Sequence, residues 1–514
     1  MSPMDRRHFL RVGGAFSALG VGAPLALQLA AAGSAAGQTA PDYKALVCVF
    51  LYGGNDSHNT VLATDQDSWG RYFAARNTGA DPIALMPPGT APTPVGQTNP
   101  VTGRVAAADM PEAWGGVLPI SPRTAQPIPA GTNAATRTFA LHPFLAPLQS
   151  LFGAGRLAVL ANVGPLVQPT SKAQYQARSV AIPTSLFSHN DQQSTWQALS
   201  TEGARTGWGG RFADLIAGMN GTSTLFTAVS AAGNAVFLSG QSVVQYQLST
   251  AAQPAVVINS AQGNSLFGSS LAPTRVRDLV TDTSLANSFA ADYATVVARS
   301  MSAATTVNSA FSQSIVTAVP TVADYTNPIT GQTETNTLAL QLQTVARMVA
   351  ASAALGVRRQ VFFVSLGGWD THDFQNTTQP NLLAKVAHAL SYFDGALSNI
   401  GGVDRRSQVT TFTASDFGRS FTTNGDGTDH AWGAHHFILG GAVNGGDIYG
   451  QYPTLGADLG GFNNPDAVGG AQIPTTSVDQ YGATLGRWFG VSDAEIQVIF
   501  PRLRNFGTSY LGFV

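Results

Sequence analysis

The histidines and acidic residues of this chain fall in a few short groups that could do chemistry. "GGWDTHDF" sets Asp370 and His372 one residue apart, with Asp373 beside them. "GTDHAWGAHH" carries Asp429, His430, His435 and His436, and "ASDFGRS" carries Asp416 and Arg419. "GGND" ends in Asp56, and "SLFSHNDQQ" holds Ser188, His189 and Asp191. Carboxylate and imidazole together suit a divalent ion, zinc foremost, with manganese, iron or calcium as alternatives. Two such ions a few ångströms apart would clamp a tetrahedral ester, and a serine beside them would lose its proton more readily. Each group also has a plainer reading. Asp56 could be a turn residue, Asp370 and His372 loop or cap residues, and Asp416 a cap of the next turn. His430, His435 and His436 are too closely spaced for all three to serve one ion, so at least one should be structural.

The elements that must position these residues are legible as an alternation. "ALVCVFLYGGND", "RLAVLANVG", "QVFFVSLGG", "QVTTFTAS" and "HHFILGGAV" are apolar runs typical of buried strands. Helical stripes lie between them: Phe144, Leu145, Leu148, Leu151 and Phe152, then Leu338, Leu342, Val345 and Val349, then Leu382, Leu383, Val386, Leu390, Phe393 and Leu397. Strand followed by helix implies an α/β fold with a mostly parallel sheet between helical layers. Ligands of such sheets sit beyond the carboxyl ends of the strands; the Asp and His groups follow those ends, except "GTDHAWGAHH", which stands just ahead of the last strand. "TSVDQYGATLGRWFG" should begin a helix with a capping box between Ser477 and Gln480. Residues 77–136, rich in Pro, Gly, Thr and Ala, read as a surface insertion. The Ser/Thr/Ala-rich residues 201–330 read as a second insertion that could cap the sheet's edge. Residues 41–514 are expected to form a single domain around this sheet.

"DRRHFLRVGG" places Arg6 and Arg7 before a weakly apolar run that ends in small residues near Ala36. This pattern predicts a twin-arginine signal peptide over residues 1–36 and a periplasmic or secreted protein without a stable membrane span after cleavage. A net charge of -2 without long one-signed runs argues against a nucleic-acid partner. The single cysteine, Cys48, lies inside an apolar strand pattern and reads as a buried small hydrophobe.

Taken in order, "FLYGGNDSHNTV", "GGWDTH", "SDFGRS", "GTDHAWGAHHFILGGAVNGG" and "TSVDQYGATLGRWFG" closely resemble the domain-of-unknown-function 1501 family. The match runs from about Ala45 to Val514, broken at the two insertions. That family resembles the alkaline phosphatase and sulfatase superfamily, whose members use two metals and a Ser, Thr or modified Cys nucleophile. The resemblance implies an alkaline-phosphatase-like three-layer α/β/α architecture, with Asp56 at the first-strand metal position, Asp370 and His372 on one ion, and Asp416 opening the Asp-His-Gly motif. It also implies that Ser188 lies near the nucleophile. Phe417 stands where that motif carries a histidine, so His430, His435 or His436 would have to replace it. "SHNDQQ" lacks the Cys-x-Pro-x-Arg pattern of formylglycine sulfatases.

The resulting expectation is an exported metal-dependent hydrolase or transferase acting on phosphate or sulfate esters, small or polymeric. Asp56, Asp370, His372, Asp416 and one or two of the late histidines would hold one or two ions. Ser188 would attack, and Arg419 would neutralise the anion. The rival expectations are a non-catalytic exported binding or envelope-assembly protein with the same fold, and a polysaccharide-associated structural protein favoured by residues 201–330.

Overall fold

The computed structural model describes residues 42–514, apart from 130, 131, 134, 222, 223 and 459–461. The expected signal peptide therefore lies outside the described residues. Nine strands form the central sheet, and they are labelled here in chain order together with a hairpin beside it. They are β1 (Lys44–Tyr52), β2 (Leu157–Gly164), β3 (Ala228–Ser230), β4 (Tyr246–Gln247), β5 (Arg359–Gly367) and β6 (Val409–Ser415). The hairpin is β7 (Arg419–Thr423) and β8 (Thr428–His430), and the sheet is completed by β9 (Ala434–Leu439), β10 (Ile448–Tyr449) and β11 (Thr476–Ser477).

Across the sheet the order is β10, β2, β9, β6, β1, β5, β3, β4, with β11 also paired to β2. Every pairing is parallel except those of β9, which runs against both β6 and β2. The sheet is thus mostly parallel, as the alternating pattern predicts. The direction of β9 has a consequence for the site. Its first residue, not its last, lies at the edge where the parallel strands end.

Successive residues of a strand face opposite sides of a sheet, and β1 shows what this means for the core. Ala45, Val47, Val49 and Leu51 join one buried cluster, while Leu46, Cys48 and Phe50 join another. The first cluster is covered by α1 (Gln66–Arg76), α2 (Ala146–Gly153), α6 (Thr337–Ala351), α7 (Gln375–Leu397) and the end of α5 (Ser288–Phe311). The second is covered by α3 (His189–Ala198), α4 (Trp208–Ile216) and α8 (Val478–Phe489). Helices on both faces of the sheet make the fold α/β. Cys48 is buried as the apolar pattern implies. Helix α8 begins with the expected reciprocal capping box between Ser477 and Gln480.

The two stretches read as insertions hold more structure than their composition implies. Residues 77–136 include Leu118–Ile120, which pairs with Phe139–Leu141 in a small antiparallel sheet, and Ile83 to Met86 are buried. Residues 201–330 supply α4, β3 and β4 to the main body before reaching α5. Short strands escape a reading based on long apolar runs. Among the described residues no helix is long and apolar enough to cross a membrane.

Candidate metal centre at the carboxyl edge of the sheet

Four chain segments meet beyond the ends of β1, β5 and β6. Gly53 and Gly54, both with positive φ, turn the chain away from β1. A side chain on Gly53 would collide with the Asp370 backbone, and one on Gly54 would lie 2.6 Å from the Phe417 ring. The glycine pair therefore lets the β5 and β6 loops close against one another. Asp370 follows β5, Asp416 follows β6, and the β7–β8 hairpin sets Arg419 opposite His430. His189 opens α3, directly after Phe187 (φ 75) and Ser188.

The Asp370 carboxylate is the centre of the group, with its side chain 41% exposed. Its Oδ1 accepts from Arg419 Nη1 at 2.5 Å and lies 3.2 Å from His372 Nε2 and 3.3 Å from His430 Nε2. Its Oδ2 lies 3.3 Å from His189 Nε2. His372 Nε2 and His430 Nε2 are 2.9 Å apart. Donor atoms of His189, Asp370 and His430 all fall within 4.8 Å of one another. An ion held tetrahedrally at about 2.0–2.1 Å from its ligands keeps them roughly 3.3 Å apart, which matches the 3.2–3.3 Å between the Asp370 carboxylate and the three imidazoles.

The far side of each imidazole fixes its tautomer. His430 Nδ1 donates to the Phe187 carbonyl at 2.7 Å, His189 Nδ1 to Asp416 Oδ2 at 2.7 Å, and His372 Nδ1 to Asp429 Oδ1 at 3.2 Å. With Nδ1 protonated, each neutral ring turns a lone pair from Nε2 towards Asp370. Three lone pairs and a carboxylate repel one another unless a cation or extra protons lie between them. Partners of this kind, orienting every ligand from behind, are the usual surroundings of a metal-binding histidine.

The protonation equilibria reflect the same arrangement. The Asp416 hydrogen bond holds the His189 pKa above the ordinary histidine value, while burial holds that of His430 below it. Burial pushes the Asp370 carboxyl up, but the Arg419 hydrogen bond and charge outweigh it and leave the group below the usual range. Asp416 is fully buried. Its Oδ2 also accepts from Gln193 at 2.8 Å, and its Oδ1 has no partner among the described residues. The Phe417 ring packs 4.9 Å from His189 and 4.5 Å from His430. It thus backs two imidazoles at the place where the resemblance implies a further ligand.

Of the residues singled out from sequence, the structure brings Asp370, His372, His430, Asp416 and Arg419 together. Asp416 acts through His189. Arg419 is buried and committed to Asp370, Gly53 O and both the carbonyl and hydroxyl of Thr428, so its guanidinium is turned to the protein. Asp56 is not in the group. It is buried in a two-point pair with Arg76, at 2.5 and 3.1 Å, and also accepts from Gln375 at 2.7 Å. His435 and His436 point to opposite faces of β9. His435 accepts from the Asn162 N–H and stacks on Tyr452, and His436 lies by Thr413 with its ring edge to Trp196. Ser188 is half-buried next to His189, and among the described residues no hydrogen bond joins its hydroxyl to the group. The site gives roles to His189 and Asp429, which the motifs contain without a place in the expected ligand set, and it adds Gln193 and the Phe187 carbonyl. The signal for His189 was its place in "SHNDQQ", one residue beyond the serine chosen there.

A shallow cavity of about 280 Å³ adjoins the group, lined by Tyr52, Gln193, Ser194, Gln197, Glu202 and Asn234. No curated protein matches the chain at a significant level. A family model described as "Protein of unknown function (DUF1501)" matches residues 43–500, nearly all of the described sheet, its helices and this edge, and the chain belongs to that family.

Proposed function

We propose that His189, Asp370, His372 and His430 hold one divalent ion, zinc foremost, in an exported hydrolase or transferase for phosphate or sulfate esters. The single observation that carries this reading is that each imidazole gives its Nδ1–H to an oxygen behind the ring and turns Nε2 towards one carboxylate. When bound, the ion would supply Lewis-acid polarisation of an ester oxygen. Asp416 and Asp429 keep the Nδ1 protons of His189 and His372 in place, and Arg419 fixes the Asp370 carboxylate. Ser188 is the nucleophile of this reading, beside the ligand His189, and the cavity along Gln193 would receive the part of the substrate that does not react. The position of the group beyond the strand ends supports an alkaline-phosphatase-like arrangement reduced to one ion. The paired Arg6 and Arg7 support twin-arginine export to the periplasm or beyond.

A second reading, a non-catalytic exported binding or envelope-assembly protein, is favoured by the commitment of Arg419 to protein acceptors. That leaves no free guanidinium in the group for an anion. Zinc-loaded full chain assayed with 4-nitrophenyl phosphate, bis(4-nitrophenyl) phosphate and 4-nitrophenyl sulfate separates the two. The hydrolase reading expects turnover of at least one ester, lost on Ser188→Ala with metal binding retained. Stoichiometric zinc with no turnover of any ester would establish the second reading instead.

A further inference from the structure

Residues 264–299 differ from the rest of the fold. They comprise a helix at Ala272–Val280, a connecting turn and the first half of α5. Along this whole stretch only Pro273 and Ala294 are buried, whereas burial of α5 resumes at Met301. Apolar side chains stand in solvent throughout it. Phe267 is fully exposed, Phe289 84%, Leu279 73%, Leu271 71% and Tyr293 68% exposed. Phe289, Tyr293 and Val296 follow the i, i+4, i+7 spacing that places them on one face of α5. Helices in proteins draw most of their stability from packing an apolar face, and nothing in the described chain covers this one.

We propose that this projecting helical arm is a dimer interface and that its occupant is the same arm of a second copy of this chain. Three features fix the occupant. The first is area. Aromatic side chains bury about 150–250 Å² each, so Phe267, Phe289 and Tyr293 alone offer roughly 500 Å². The exposed side chains of Leu271, Leu279 and Val296 bring the arm towards the roughly 800 Å² per partner of a standard interface. The second is charge. The arm carries Arg275, Arg277 and Arg299 against Asp278, Asp282 and Asp292. A balanced face is self-complementary across a two-fold axis, whereas an anionic membrane or an acidic partner calls for a one-signed face. The third is shape. A groove of about 720 Å³ opens beside the same two helices, lined by Arg277, Ala298, Met301, Thr305 and Asn308. Projecting side chains and a receiving groove on one element are what an isologous contact requires.

The interface lies outside the metal group, so the proposal stands or falls apart from the proposed activity. Sedimentation velocity of the full chain at about 1–50 µM is the test. The expected result is a dimer that dissociates at least tenfold more readily in Phe289→Asp/Tyr293→Asp, with an unchanged far-UV circular dichroism spectrum and a cooperative urea transition as the sign of an intact fold. Should that variant fail to fold, hydrogen exchange of the wild-type chain decides. The dimer requires protection of residues 267–299 to rise with protein concentration. A wild-type monomer at 50 µM, or a dimer unaffected by the double substitution, would overturn the proposal. So would a monomer that floats with phosphatidylglycerol-containing vesicles, since the face would then belong to lipid.

Discussion

His189, His372 and His430 stand at the carboxyl edge of the sheet, each with Nδ1 on an oxygen and Nε2 turned towards Asp370. His58, His435 and His436 are fully buried, and in these three at least one ring nitrogen has no partner among the described residues. The first set has lone pairs aimed at a solvent-facing carboxylate, while the second is enclosed by Phe421, Tyr452 and Trp196. The same contrast separates two aspartates that each follow a glycine pair. Asp370 keeps one oxygen on Arg419 and the other towards His189. Asp56 has both oxygens engaged by Arg76 and no exposed surface. Residue type does not divide these groups; the partner behind each side chain and its access to solvent do.

The largest expected effect separates a buried structural residue from a residue of the candidate site. Asp56→Ala would strand the buried Arg76 guanidinium, and removing one partner of a buried pair costs about 3–5 kcal/mol. His372→Ala, at a half-exposed position, should cost less than about 1 kcal/mol. Urea unfolding of both variants checks this, and equal losses would remove the distinction between the structural residue and the site residue.

A smaller effect separates the histidines by pH. Burial holds His58 and His436 down to about 3 and His435 well below its ordinary value. In the unfolded chain they return to about 6.5. Between pH 6.5 and 3 the unfolded chain therefore binds protons that the folded chain does not. The stability these residues allow is complete above pH 6.5 and falls as pH drops, by about 1.4 kcal/mol per pH unit for each histidine. His436→Phe should flatten the slope by that amount. An unchanged slope between pH 6.5 and 5 would show that the ring is protonated or hydrated in the folded state.

The strands of the central sheet longer than three residues, three of the flanking helices and the capping box at Ser477 were legible from apolar runs and spacing. Those signals are local, and the α/β class follows from them. Asp370, His372 and His430 were legible as candidate site residues because each follows a strand end or sits in an Asp-His grouping. Asp56 shared that pattern, but its partner Arg76 lies 20 residues on, on the buried side of a helix, and nothing local marks an arginine as a buried counter-ion. His189 shows the opposite difficulty. Its value comes from Asp416, 227 residues away, so in sequence it looks like one polar residue among several at a helix start. The antiparallel direction of β9 carries no sequence mark either, since an apolar run reads alike in both directions. That direction decides that the residues before the strand, His430 among them, reach the edge, while His435 and His436 within it enter the two cores.

The most direct test of the central claim is the zinc stoichiometry and affinity of the metal-depleted full chain, read by competition with a chromophoric chelator. The account predicts one equivalent bound, weakened at least 100-fold in His430→Ala, about 10- to 100-fold in Asp416→Asn through the orientation of His189, and unchanged in His436→Phe. Well below one equivalent, or an affinity that ignores His430, would contradict it.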